Sequence, residues 1–156
     1  MKNDTKSNQM REQATDQARE RAVLELRQNC TEENLWNCIV VFQDYPFFTV
    51  SGLPFTYTLK RGRNGEFTKE LFVDRMANSK SLAWSSIRIA FERAKEQDEV
   101  IDRPKALGDV RGVSYVYSLL WRFGLIAVPK ESEEKLSGRL SRAMNETECQ
   151  MKLSIR

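Results

Sequence analysis

A chain of 156 residues has room for one domain of ordinary size, and its 40% apolar and 30% charged residues are those of a water-soluble protein. It contains no histidine, which excludes Ser-His-Asp triads, Cys-His dyads and His-ligated zinc or haem sites. The net charge of +3 is too small by itself to indicate a nucleic acid or a membrane, so the information lies in where the charges sit.

Residues 1–28 hold six basic and five acidic side chains without an apolar centre, which fits neither a signal peptide nor a transit sequence. A cytoplasmic protein is therefore expected. The longest apolar run, Cys38 to Phe42, has five residues, far short of the roughly 20 that a helix needs to cross a bilayer. Cys30, Cys38 and Cys149 are odd in number and widely spaced, as suits reduced thiols. Without a Cys-x-x-Cys pair they predict neither a metal site nor a catalytic thiol, and no cofactor is expected. The first ten or so residues read as disordered. From about Glu12 the Ala, Glu, Arg and Leu content favours helix, with a thin stripe at Ala14, Ala18 and Ala22. Residues 1–29 read as a polar arm or solvated helix, with a partner-binding or dimerising helix as the alternative.

Composition changes at Leu35, and residues 30–129 read as a single α+β core. Leu35 to Gln43 fits either a strand or a short helix. Strands are predicted near Phe47 to Ser51, Phe55 to Arg61 and Phe67 to Asp74, separated by turn residues at Gly52 to Pro54 and Gly62 to Gly65. The last two strands form a hairpin around Asn64-Gly65. A two-residue turn would set Leu59 opposite Glu70, whereas a three-residue loop, Asn64 to Glu66, sets Leu59 opposite Leu71 and Tyr57 opposite Val73. The longer loop keeps charge off the apolar face and is preferred. One face then carries Phe55, Tyr57, Leu59, Phe67, Leu71 and Val73; the other carries Thr56, Thr58, Lys60, Thr68, Lys69 and Phe72.

After Asp74 the period changes. Asn78, Ser79 and Ser81 are candidate N-caps for an amphipathic helix to about Gln97, whose inner face is Ala83, Trp84, Ile87, Ala90, Phe91 and Ala94. A polar connection with Pro104 and Gly108 leads to a second helix over Ser114 to Phe123, closed by Gly124. Residues 130–156 read as a helix with Leu136, Leu140 and Met144 on one side, followed by a loose tail. The fold class is therefore α+β: a three-stranded antiparallel sheet packed against an α-helix, with a second helix and flanking helical arms.

The positive excess is concentrated in residues 60–80, which carry six basic and three acidic side chains. Lys60, Arg61 and Arg63 flank the hairpin loop, Lys69 is assigned to the side of Lys60, and Arg75 and Lys80 precede the helix. A two-stranded ribbon fits a major groove, with Arg and Lys on phosphates and residues such as Asn64 near base edges. Arg88 on the helix would add a phosphate contact. The competing explanation is that lysine and arginine keep an exposed hairpin soluble and unpaired. Ser79, Lys80, Ser81, Ser85 and Ser86 also form a possible phosphate cradle, although capping explains them as well. Asp109, Arg111, Tyr115 and Tyr117 form a possible polar cluster, more in keeping with a fixed loop than with catalysis. Gly108-x-x-x-Gly112 is not a phosphate-binding loop, and no enzyme is expected.

The stretch from Leu35 to Pro129 resembles a family of small proteins of uncharacterised function from Gram-positive bacteria, associated with mobile genetic elements. The resemblance is carried by Gly52-Leu53-Pro54-Phe55-Thr56-Tyr57, Glu70-Leu71-Phe72-Val73-Asp74-Arg75, Ser79-Lys80-Ser81, Pro104-Lys105-Ala106-Leu107-Gly108 and Gly112-Val113-Ser114-Tyr115-Val116-Tyr117. It implies an accessory role in a mobile element and brings no catalytic residues. Two functions follow as expectations. The first is duplex DNA binding through Lys60, Arg61, Arg63, Asn64, Lys69, Arg75, Lys80 and Arg88. The second is an interaction module, such as a phage or mobile-element inhibitor of a CRISPR-type host nuclease, acting on a host protein or ribonucleoprotein. Either is compatible with a homodimer.

Overall fold

Residues 2–74 and 80–138 are described by the computed structural model, and the chain divides into two units, Met1–Gln43 and Asp44–Arg156. The first unit is a pair of helices, α1 (Lys2–Gln28) and α2 (Glu32–Val41). The expected disorder of the opening residues is replaced by helical backbone from Lys2 onward. Leu35, Cys38, Ile39 and Phe42 are buried, and their i, i+3, i+4, i+7 spacing resolves this segment as helix rather than strand. Thr31 caps α2 by accepting a hydrogen bond from the Asn34 N–H at 3.2 Å, and Glu32 and Glu33 sit in its first turn, where negative charge opposes the helix dipole. The last turn of α2 lacks a basic residue of its own. Arg19 of α1 supplies one, donating to the carbonyls of Val41 at 2.9 Å and Gln43 at 3.0 Å.

The second unit is α+β. Its antiparallel sheet runs in the order β1 (Phe47–Phe48), β2 (Pro54–Arg61), β3 (Phe67–Asp74) and β4 (Lys80–Ala83), so it has four strands rather than the expected three. The additional strand lies where the sequence suggests a helix start at Ser81. Lys80–Ala83 pairs with Glu70–Val73, which puts Leu82 opposite Leu71 on the buried face, and α3 (Trp84–Glu96) begins only after that contact is made. Its N-cap position is therefore Ala83, and no serine caps it. β1 is shorter than expected because Thr49 folds back into a turn, accepting from the Gly52 N–H at 2.8 Å and bonding Leu53 through both backbone and hydroxyl.

The hairpin register over most of its length is the one that the apolar pattern requires, with Leu59 opposite Leu71 and Tyr57 opposite Val73. At its end it departs from the three-residue loop. A bulge beyond Leu59 pairs Arg61 with Phe67, and the connection is the five-residue segment 62–66, closed by Gly62 N–H to the Glu66 carbonyl at 2.7 Å. Phe55, Tyr57, Leu59, Leu71, Val73 and Leu82 make the buried face. Above them lie α3, through Trp84, Ile87, Ala90, Phe91 and Ala94, and α4 (Val113–Arg122), which is buried nearly all round. Phe47 stacks on Phe55 with ring centres 5.4 Å apart, and Tyr115 meets Phe55 edge-on at 4.9 Å. Gly112, at φ 78°, brings the chain so close to Leu82 that a Cβ there would lie 2.6 Å from its Cδ1. A short α5 (Lys130–Leu136) buries Leu136; Leu140 and Met144 fall outside the described residues.

Candidate nucleic-acid interface

Among the described residues β1 pairs only with Pro54 and Phe55, and β4 only with Glu70–Val73. From Lys60 round to Lys69 the hairpin is therefore a two-stranded ribbon that extends roughly 10 Å beyond its neighbours, at about 3.3 Å per strand residue. Its end is shaped by local chemistry. The Asn64 side-chain oxygen accepts from the Glu66 N–H at 3.1 Å, and Gly65 takes the left-handed φ of 81° that lets the loop turn. Arg61 donates to the Gly65 carbonyl at 2.7 Å while its guanidinium carbon lies 4.3 Å from the centre of the Phe67 ring.

The expected binding residues separate into three groups. Lys60, Arg61, Arg63 and Asn64 are exposed and share the ribbon, and none of the three cations is ion-paired among the described residues. Lys69 is also on the ribbon but does not share the face of Lys60. Lys60 lies 4.2 Å over Phe72 on the open side of the sheet, whereas Lys69 lies 5.4 Å from the ring of Trp84, the first residue of α3. Two-residue alternation places Lys69 with Leu71 on the helix side, which corrects the expected grouping. Lys80 is exposed at the start of β4, and Arg88 is exposed on α3, the layer that covers the opposite face from Phe72. Arg75 lies outside the described residues.

Three rings were not singled out as partners by the sequence: Phe67, Phe72 and Trp84 each sit beneath one cation of this hairpin. The expected phosphate cradle is not assembled. Ser81 lies on β4 and donates to a Glu70 carboxylate oxygen at 2.5 Å, Ser85 and Ser86 are on α3, and Ser79 is outside the described residues. Of the polar cluster, Tyr115 and Tyr117 are buried in α4. The Tyr117 hydroxyl donates to the Ile101 carbonyl at 2.5 Å. Burial raises its pKa, a hydrogen bond with Ser132 lowers it, and the charge of Asp102 raises it, with burial dominant.

A cavity of about 200 Å³ lies elsewhere, between Tyr45, Phe47, Phe48, Trp121 and Arg122; the Arg122 Nε donates to the Tyr45 hydroxyl at 2.9 Å. Among the described residues no group of three or more Cys, Asp or Glu is placed to hold a metal ion, and no helix is long and apolar enough to cross a membrane. No family model, curated protein or solved structure matches the chain.

Proposed function

We propose that this protein binds duplex DNA through the β2–β3 hairpin, as a non-catalytic, cytoplasmic accessory of a mobile genetic element. The observation that carries the reading is the two-stranded ribbon with Lys60, Arg61 and Arg63 exposed at its end and, among the described residues, free of ion pairs. Two strands are narrow enough for a major groove about 12 Å wide, and cations at the end of such a ribbon are placed to meet phosphates. Arg61 is braced by Gly65 and Phe67 and has no acidic partner among the described residues, which supports its charge being available to a polyanion. Lys69, on the helix side of the ribbon, and Lys80, at the start of β4, would act as secondary phosphate contacts; Arg88 is assigned a weaker part because it sits on the covering helix.

The resemblance to mobile-element proteins supports an accessory role. It also keeps a host protein or ribonucleoprotein nuclease as the second partner, for which the exposed residues 9–18 of α1 offer a different surface. The two readings separate on one experiment. Fluorescence anisotropy of a labelled duplex is followed with the native protein and with a variant carrying Lys60→Glu, Arg61→Glu and Arg63→Glu. Binding at low salt that the variant loses, while its melting curve is unchanged, supports the DNA reading. No binding by the native protein refutes it and directs attention to the protein partner.

A further inference from the structure

The cavity between β1 and the end of α4 plays no part in the ribbon, and its walls have the make-up of a small-molecule site. Tyr45, Phe47, Phe48 and Trp121 line it, and Arg122 is the one charged side chain on its wall among the described residues. Protein interiors leave few voids larger than a water molecule, whereas ligand sites are concave, largely apolar and carry a few placed polar groups. At about 200 Å³ the space exceeds the roughly 150 Å³ in which an engineered apolar cavity holds benzene. It is smaller than the roughly 300 Å³ at which sites for drug-sized ligands begin. The walls are held from behind. Tyr45 meets Phe47 edge-on with ring centres 4.8 Å apart, Phe47 stacks on Phe55, and Gly138 backs Phe48 so closely that a Cβ there would lie 2.6 Å from its Cε2. The polar groups have distinct parts. Ser118 and Ser137 donate their hydroxyls to the carbonyls of Ser114 and Glu134, so recognition falls to Arg122 and Tyr45. In the bond between those two the phenol oxygen accepts from Arg122 Nε at 2.9 Å, which sets a hydroxyl donor beside the guanidinium. The end of α4 contributes only about half a negative charge against the full positive charge of Arg122, so the wall stays cationic.

We infer that this cavity binds a small planar aromatic carboxylate, with its ring against Phe48 and Trp121 and its carboxylate on the Arg122 guanidinium and the Tyr45 hydroxyl. The volume admits one or two fused rings and no nucleotide. A single cation suits a singly charged ligand, and the guanidinium plane matches a carboxylate. The inference does not depend on the ribbon's contact with DNA.

The test titrates the full chain with benzoate, benzamide and cyclohexanecarboxylate and follows the backbone amide resonances. Benzoate binds with millimolar or tighter affinity and shifts the signals of Tyr45, Phe48, Trp121 and Arg122. Benzamide keeps the ring and loses the charge, and binds about tenfold more weakly or worse. Cyclohexanecarboxylate keeps the charge and loses the aromatic face, and binds severalfold more weakly. Arg122→Gln removes the preference for benzoate over benzamide, with a melting curve to establish that it is folded; should it fail to fold, the three probes on the native chain decide alone. No benzoate binding at millimolar concentration overturns the inference, as does equal affinity for benzoate and either analogue. Benzoate shifts confined to Lys60, Arg61 and Arg63 overturn it too, since they would mark an anion on the ribbon and none in the cavity.

Discussion

The Lys60 ammonium lies 4.2 Å from the centre of the Phe72 ring, across the pair of strands that forms the basic ribbon. At an exposed site such a contact contributes about 0.5–1 kcal/mol, while the same charge brought to a phosphate releases counterions and acts on binding. Lys60→Gln should therefore lower stability by no more than about 1 kcal/mol, seen as a small shift of the urea midpoint at constant slope. Its duplex affinity at low salt should fall severalfold. A large loss of stability with unaltered binding would assign Lys60 to the fold instead.

Two left-handed glycines provide a paired test of local geometry. A Cβ at Gly65 meets nothing within 4 Å, whereas one at Gly112 meets Leu82 at 2.6 Å. Gly65→Ala should cost only the backbone term of about 1 kcal/mol. Gly112→Ala adds overpacking and should cost about 3 kcal/mol, part of which is recovered when Leu82 is also cut to alanine. Chemical denaturation of Gly65→Ala, Gly112→Ala, Leu82→Ala and the Gly112→Ala/Leu82→Ala double variant measures the coupling directly; equal costs at the two glycines would mean that the approach of Gly112 to Leu82 is looser than described.

Arg19 joins the two helices of the first unit by donating to the carbonyls of Val41 and Gln43. Hydrogen bonds from a charged donor are worth about 1.5–3 kcal/mol, and Lys cannot reproduce the fork. Arg19→Lys and Arg19→Ala should both fray the end of α2, detected as faster amide exchange at Phe42, whose N–H bonds the Cys38 carbonyl at 3.0 Å. Protection at Phe42 equal to that of the native chain would show that α2 closes without Arg19.

Burial holds the Tyr117 phenol above its ordinary pKa, so the folded state keeps its proton where the unfolded chain releases it. The resulting contribution is complete below the unfolded value of about 10 and is lost as pH rises through the folded one. Tyr117→Phe leaves the Ile101 carbonyl without its phenol donor and should cost about 1–3 kcal/mol at neutral pH. That difference from the native protein should shrink as pH is raised above about 10. A difference constant from neutral to strongly alkaline pH would contradict the assignment.

The fold was legible where apolar spacing was long and regular. Phe55, Tyr57 and Leu59 against Leu71 and Val73 specify the hairpin register, and Ile87, Ala90, Phe91 and Ala94 specify the inner face of α3. β4 was hidden because four residues with a single large apolar side chain, Leu82, carry no period, and its pairing with Glu70–Val73 is a tertiary fact. The i, i+3, i+4, i+7 burial of α2 was masked by the β-branched run Ile39 to Val41, which reads equally as strand. At the candidate site the cations were legible as a charge cluster. Their rings were not, because Lys60 over Phe72 and Lys69 over Trp84 depend on which face each strand position takes.

The central claim, that the ribbon's cations meet phosphate, is tested most directly by the salt dependence of duplex binding for the native chain and Arg63→Gln. Each phosphate contact adds about 0.9 to the steepness of the logarithm of the binding constant against the logarithm of salt concentration. The native protein should bind at low salt and weaken steeply, and Arg63→Gln should bind less tightly with a slope shallower by about one. Identical slopes and affinities for the two proteins, or no binding by the native chain at low salt, would contradict the account.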